Sequence, residues 1–231
     1  MGNSSSADKA PQLGKEFPDF EAKTSQGDIR WHSYINGSWA ILFSHPADFT
    51  PVCTTELGMV AAYEDKFKQR GVKLAAISCD PPDEHKKWIK DIIAYKKLKG
   101  DDLPYPIIAD EKRELVTRLG MLDASEKNAQ GLPLAARAVF IIGPDKKLKL
   151  SLLYPATTGR DFDEIIRVID SLQLTANQQV ATPANWESGA ECMILPSISD
   201  DQAQEQFQKG FSTKQMPSGK SYMRFTPDPR D

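Results

Sequence analysis

Residues 39–44, Trp-Ala-Ile-Leu-Phe-Ser, form an almost wholly apolar run of strand length, which predicts a strand buried on both faces. Runs at 72–79, 106–109 and 138–142 have the same character. After the last of them Gly143-Pro144-Asp145 spells a turn, and residues 148–153 then complete a predicted hairpin. Between the runs the apolar period changes to that of a helix. From Cys53 to Arg70 it places Leu57, Val60, Ala61 and Phe67 on one face, and Gly71 stops it. Asp80 and Pro81 offer a cap and a first-turn proline to a helix striped by Trp88, Ile92 and Tyr95. Residues 161–174 carry Ile165, Ile166, Ile169 and Leu172 as the last strongly periodic helix. Strands alternating with helices predict an α/β fold in which helices cover a sheet.

The ends of the chain read differently. Residues 1–12 are small and polar, with Pro11, and predict a flexible lead-in, order starting near Phe17. From about Thr175 proline, glycine and polar residues dominate, leaving short strand-like pieces at 192–195 and 222–225. Such a segment is expected to bury little by itself and to pack on the main domain or a partner subunit. The predicted division is therefore a tail at 1–12, an α/β domain at 13–175 and an extension at 176–231, with no internal repeat.

Composition narrows the classes of function. The 231 residues are 40% hydrophobic and 26% charged, as in soluble globular proteins. A formal charge of −3 gives no general attraction to phosphate backbones, so nucleic acid is not an expected partner. Three scattered cysteines, Cys53, Cys79 and Cys192, make no disulfide framework and suit a reducing compartment. With no apolar run long enough to span a bilayer and no apolar signal core at the N-terminus, the expected location is cytoplasmic. Met1 to Ser6 fit the N-myristoylation pattern, with Gly2 as acceptor, and fit a plain flexible tail equally well. Membrane association follows only if Gly2 is acylated, and one acyl chain gives marginal binding.

The chemistry concentrates at residues 45–56, His-Pro-Ala-Asp-Phe-Thr-Pro-Val-Cys-Thr-Thr-Glu, between a buried strand and an amphipathic helix. A cysteine in the first turn of a helix faces unpaired N–H groups and the positive end of the dipole, which favour thiolate, the nucleophilic form. Thr50, three residues before Cys53, can turn its hydroxyl toward the sulfur or toward an oxygen approaching it. Pro46 and Pro51 stiffen the loop.

The spacing PxxxTxxC, formed by Pro46, Thr50 and Cys53, resembles the active-site signature of peroxiredoxins. The order of elements from Phe17 to about Leu174 is similar to the thioredoxin-like peroxiredoxin core. Residues 144–150 and 153–160, with the tail, resemble the one-cysteine, peroxiredoxin-six type. The resemblance implies a thioredoxin-like fold with a C-terminal extension and a thiol-dependent peroxidase acting on hydrogen peroxide and organic hydroperoxides. It also implies a homodimer and an arginine near the sulfur, a position that Arg137 matches. Cys53 would attack one peroxide oxygen, giving a sulfenic acid, while Thr50, the Cys53 N–H and Arg137 hold the peroxide oxygens. No cofactor or metal is expected; an external thiol, with glutathione the family-based choice, reduces the sulfenic acid.

The same residues bear on other functions. A thioredoxin-type dithiol site needs CxxC, and Glu56 stands at the second position. Two-cysteine peroxiredoxins carry a resolving cysteine in a VCPAxW-like segment, where this chain has Thr182 before Pro183 and Trp186. Cys192, ten residues beyond Thr182, is placed to resolve Cys53 in principle, but a structural strand cysteine is the favoured reading, as it is for Cys79. The subgroup's phospholipase residues would be Ser38, His32 and Asp145, but the GxSxG pattern around Ser38 has lost both outer glycines. His45 is a candidate for orienting the loop or substrate. His32, His45 and His85 lack zinc-ligand spacing. A different class of function, a peroxide sensor or chaperone-like binding protein, would use the same Cys53.

Overall fold

The computed structural model describes residues 10–230; Gly2 and its acylation pattern lie outside them. The chain divides into a unit ending at Phe162 and a unit starting at Asp163.

The first unit begins with strands β1 (Glu21–Thr24) and β2 (Gly27–Arg30) and the short helix α1 (Trp31–Ile35). The peroxide-motif region follows as β3 (Trp39–Ser44), α2 (Pro51–Ala62), α3 (Glu64–Gln69), β4 (Val72–Ser78) and α4 (Pro82–Lys96). Then come β5 (Ile107–Ala109), α5 (Glu114–Arg118), a separate hairpin of β6 (Leu122–Lys127) and β7 (Pro133–Ala135), and the strands β8 (Arg137–Ile142) and β9 (Leu148–Tyr154). Seven strands make one mixed sheet in the order β2-β1-β5-β4-β3-β8-β9, with β3 and β5 parallel to the central β4 and β8 antiparallel to β3. This is the α/β, thioredoxin-like architecture, with the C-terminal extension following it.

The near-continuous apolar strands are explained by helices on both faces. Along β3, Ala40 and Leu42 join Phe17, Phe20 and Trp31 in one buried cluster. Their neighbours Ile41 and Phe43 are also buried, and Phe43 meets Phe67 of α3 at 6.4 Å between ring centroids.

Three local expectations are corrected. The helix predicted over 53–70 is two helices, because Tyr63 leaves helical geometry (φ −95°, ψ 7°) and its N–H is shared between Met59 O and Val60 O. Gly71 does end the segment, at φ +62°, where a side chain would be strained. Asp80 does not cap α4: Pro81 holds the cap position and Pro82 starts the helix, while the Asp80 carboxylate turns to Ser78 Oγ and the Asp48 N–H. Finally, Tyr95 is 59% exposed, and the buried stripe of α4 is His85, Trp88, Ile89 and Ile92. That set keeps the i, i+3, i+4, i+7 spacing.

The second unit contains nearly all of α6 (Phe162–Asn177), then β10 (Val180–Ala181), β11 (Cys192–Ile194), α7 (Asp200–Gln206), β12 (Ser212–Thr213) and β13 (Arg224–Thr226). Its strands form a four-stranded sheet in the order β10-β11-β13-β12. Contrary to the expectation that this region buries little, Leu174, Val180, Trp186, Cys192, Ile194, Ile198, Ala203 and Phe207 make a core of their own. Irregular stretches are fixed by buried polar groups: Arg224 donates to Leu195 O and Ile198 O, and Trp186 Nε1 to Ala190 O. A capping box of Ser199 and Gln202 starts α7.

Candidate active site

The antiparallel register of β3 and β8 pairs Phe43 with Val139. Two residues further along, His45, just past the end of β3, lies level with Arg137 at the start of β8. Ser44 Oγ bridges the two strands there, donating to Ala136 O (2.6 Å) and accepting from Ala138 N (2.9 Å). Sheet register therefore brings an arginine 84 residues away in sequence to the loop before Cys53.

Thr50 is the N-cap residue of α2, Pro51 its first residue and Cys53 its third. No side chain caps this helix. The Thr50 hydroxyl instead donates to Ala47 O at 2.9 Å, while its carbonyl accepts from Thr54 N. Thr50 was expected to turn toward the sulfur or substrate; with its proton given to Ala47, its oxygen has only lone pairs to offer a peroxide. Pro46 is buried in the same loop. Cys53 itself has no exposed surface, and Arg137 Nη1 lies 3.3 Å from its Sγ. A guanidinium and a helix start thus both face that sulfur.

The same guanidinium nitrogen donates to Glu56 Oε2 at 2.8 Å, and Arg137 Nε and Nη2 both reach Ala156 O. Glu56 Oε1 accepts from Arg160 N and Nε, and Oε2 from Arg160 Nη2. Arg160 Nη1 in turn holds Ser44 O and Ala138 O. Burial pushes the Glu56 carboxyl up, but the two arginines outweigh it and hold the group below the usual carboxylate range. Glu56 and Arg160 were missed as site residues. The available signal was Glu56 itself, a charge one helical turn after Cys53 on the face otherwise occupied by Leu57 and Val60.

A second buried network lies under the loop. His45 and His85 are fully buried, and Asp48 accepts from both, Oδ1 from His45 Nε2 at 2.9 Å and Oδ2 from His85 Nδ1 at 2.6 Å. Burial raises the Asp48 carboxyl, yet the hydrogen bonds and charges of the two histidines overcome it and bring it down to about 2. Its contribution to stability is complete above the ordinary carboxylate range and disappears as pH falls through the folded-state value. In urea unfolding from pH 7 to pH 2, the stability gap between the native protein and Asp48→Asn should hold near 2 kcal/mol down to about pH 4 and then close. A gap that stays open at pH 2 would contradict this. His45, Asp48 and Asp80 bring ligand-type atoms within 4.8 Å of one another, but both Asp48 oxygens and one of Asp80 are engaged in hydrogen bonds.

Cys79 is partly buried, and burial pushes its thiol up to about 11 despite Arg113. Cys192 belongs to the core of the second unit. Two of the three phospholipase candidates have hydrogen bonds outside such a triad: His32 Nε2 meets Phe17 O, and Asp145 accepts from Lys149. Ser38 stands on a helix-to-strand turn, whereas a nucleophile elbow runs from strand to helix.

Residues 13–151 match the model of the AhpC/TSA family, and residues 171–210 match that of the C-terminal domain of 1-Cys peroxiredoxin. The chain is 58% identical to peroxiredoxin-6 of Gallus gallus, with 94% of this chain and 97% of that protein covered. Peroxiredoxin-6 of Homo sapiens is 56% identical, with the same coverage. Among solved structures, a cysteine-to-serine mutant of peroxiredoxin 6 of Arenicola marina superposes with a TM-score of 0.93 at 56% identity, covering 95% of this chain and 99% of that one. A yeast mitochondrial 1-Cys peroxiredoxin, studied for thiol resolution via glutathione/thioredoxin systems, gives 0.84 at 40% identity, covering 94% and 99%.

Proposed function

We propose how the site works from one premise: this chain belongs to the AhpC/TSA family as a one-cysteine peroxiredoxin, and it is a thiol-dependent peroxidase, an oxidoreductase. Cys53 is the peroxidatic residue. The observation that carries this assignment is its sulfur at the start of α2, 3.3 Å from Arg137 Nη1. The thiolate attacks one peroxide oxygen in line with the O–O bond; the S–O bond forms as O–O breaks, and the departing oxygen takes a proton and leaves as water or an alcohol. Arg137 and the Cys53 N–H stabilise charge on the oxygens, and Thr50 accepts the hydroperoxide O–H. An external thiol then condenses with the sulfenic acid, releasing water and leaving a mixed disulfide, and a second thiol restores Cys53 as a disulfide of the reductant departs.

Glutathione is the proposed reductant, supported by the yeast relative's link to glutathione/thioredoxin systems. A homodimer is supported by β9, the last strand of the seven-stranded sheet, which leaves Leu153 65% exposed. Three free cysteines favour a reducing compartment such as the cytoplasm. Acylation of Gly2 would add marginal membrane affinity.

The assignment is tested by treating the reduced protein with one equivalent of hydrogen peroxide in the presence of a sulfenic-acid-trapping diketone. Peptide mass spectrometry should find the adduct on Cys53. An adduct on Cys79 or Cys192 in its place would refute the proposed site.

A further inference from the structure

The six residues from His45 to Thr50 belong to no helix or strand, yet they aim both Thr50 and the first turn that carries Cys53. Their most heavily tied member is Asp48. Its backbone N–H donates to Asp80 Oδ2 at 3.0 Å, and Ser78 Oγ fixes that same oxygen at the end of β4. Its carboxylate binds His45, the residue after β3, and His85 on α4, and His85 Nε2 also faces Ile108 O of β5 at 3.3 Å. One residue of the loop is thereby referred to three parallel strands and the helix packed on them. Immediately after it, Phe49 adopts a left-handed backbone (φ +54°) with its ring half exposed, a conformation a bulky residue holds only when its surroundings enforce it.

A buried carboxylate is an expensive way to fill space, since apolar side chains of similar volume generally serve stability as well or better. What it supplies here is direction. An ionised carboxylate only accepts, so each imidazole nitrogen facing it carries its proton, which fixes both rings. For His45 in its neutral form this leaves Nδ1 as a bare acceptor, and that buried atom has no hydrogen-bond partner among the described residues. Neither ring can turn without losing its bond to Asp48.

We propose that Asp48 is a positioning residue for peroxide reduction: by tying His45, His85 and Asp80 together it sets the loop geometry that aims Thr50 and the first turn of α2 at the O–O bond. The inference rests on Cys53 being the peroxidatic sulfur.

Asp48→Asn keeps the size of the side chain but presents an amide N–H₂ to one of the two imidazoles, which must then accept instead of donate, so the ionic character of both ties is removed and one of them is reversed or broken. Two second-order rates at Cys53 separate positioning from general damage: reduction of hydrogen peroxide, which needs the aimed donors, and alkylation by iodoacetamide, which does not. Both are followed on the Cys53 peptide. The peroxide rate should fall roughly 10- to 100-fold, the scale of an ångström-sized misplacement, while alkylation stays level or rises. Unchanged rates, or rates that fall in parallel, would overturn the proposal. If Asp48→Asn does not fold, Asp80→Ala, which cuts the backbone tie of Asp48 and the Ser78 bond but leaves both histidine ties, is judged by the same two rates. A native protein that consumes no peroxide removes the peroxidase assignment and this inference together; an active native protein with an unaltered Asp48→Asn removes the inference alone.

Discussion

Replacing Cys53 by serine is expected to abolish peroxide reduction, lowering the rate on the order of a thousandfold or more, to that of the reductant alone. Serine fits the space of the buried thiol, so the loss should come without unfolding. The chemistry explains the size: a serine hydroxyl stays protonated at neutral pH, and oxygen cannot take up a peroxide oxygen as sulfur does. Arg137 and the helix start remain in place but have no nucleophile to serve. Cys79 and Cys192 do not substitute, the first because burial holds it as a thiol and the second because it lies inside the core of the second unit. Hydrogen peroxide consumption with dithiothreitol measures the effect. Substantial turnover by Cys53→Ser would relocate the reaction to another residue.

The second large effect is on stability. Glu56→Gln should lower the unfolding free energy by about 3–5 kcal/mol, because it leaves two buried guanidinium groups without the one carboxylate they share. For a chain of this size that is a fall in melting temperature on the order of 10 °C. The sign of the pH dependence follows from the folded carboxyl lying below its ordinary range. The native protein's advantage should be complete at neutral pH and shrink in acid as Glu56 takes up a proton. Peroxide reduction should fall as well, since Arg137 Nη1 reaches the sulfur from its bond to Glu56. Thermal unfolding at pH 7 that matches the native protein would show that the pair of arginines does not depend on this charge.

The parts of this site that sequence made legible were those written within a few residues of one another. Pro46, Thr50 and Cys53 lie between an apolar strand and a periodic helix, and spacing alone placed the cysteine in a first turn. Arg137 came from family resemblance, because the β3–β8 register that delivers it depends on pairing across almost a hundred residues. Glu56 was read only as the absence of a second cysteine, although a carboxylate on an apolar helical face already called for a cationic partner. Its partner Arg160 follows β9 in a segment with no periodicity. His85 was hidden differently: it shares the buried stripe of α4, but the exposed Tyr95 took its place in the predicted pattern. β1 and β2, Glu-Ala-Lys-Thr and Gly-Asp-Ile-Arg, look like loop because charged side chains line a sheet edge. The core of the second unit was overlooked for its spacing, single apolar residues spread over short strands and turns, even though Ser199 and Gln202 spelled a helix start.

The complete enclosure of Cys53 constrains the catalytic cycle as a whole. A peroxide is two oxygens across, larger than a water molecule, so it too reaches Sγ only when the surroundings of Cys53 open; an external thiol must in addition bring its own sulfur into bonding contact with Sγ along a straight approach. Both halves of turnover therefore require Cys53 to be uncovered, and more widely for the electron donor than for the oxidant. Reducing agents would then be ranked by how readily the oxidised enzyme uncovers its sulfur.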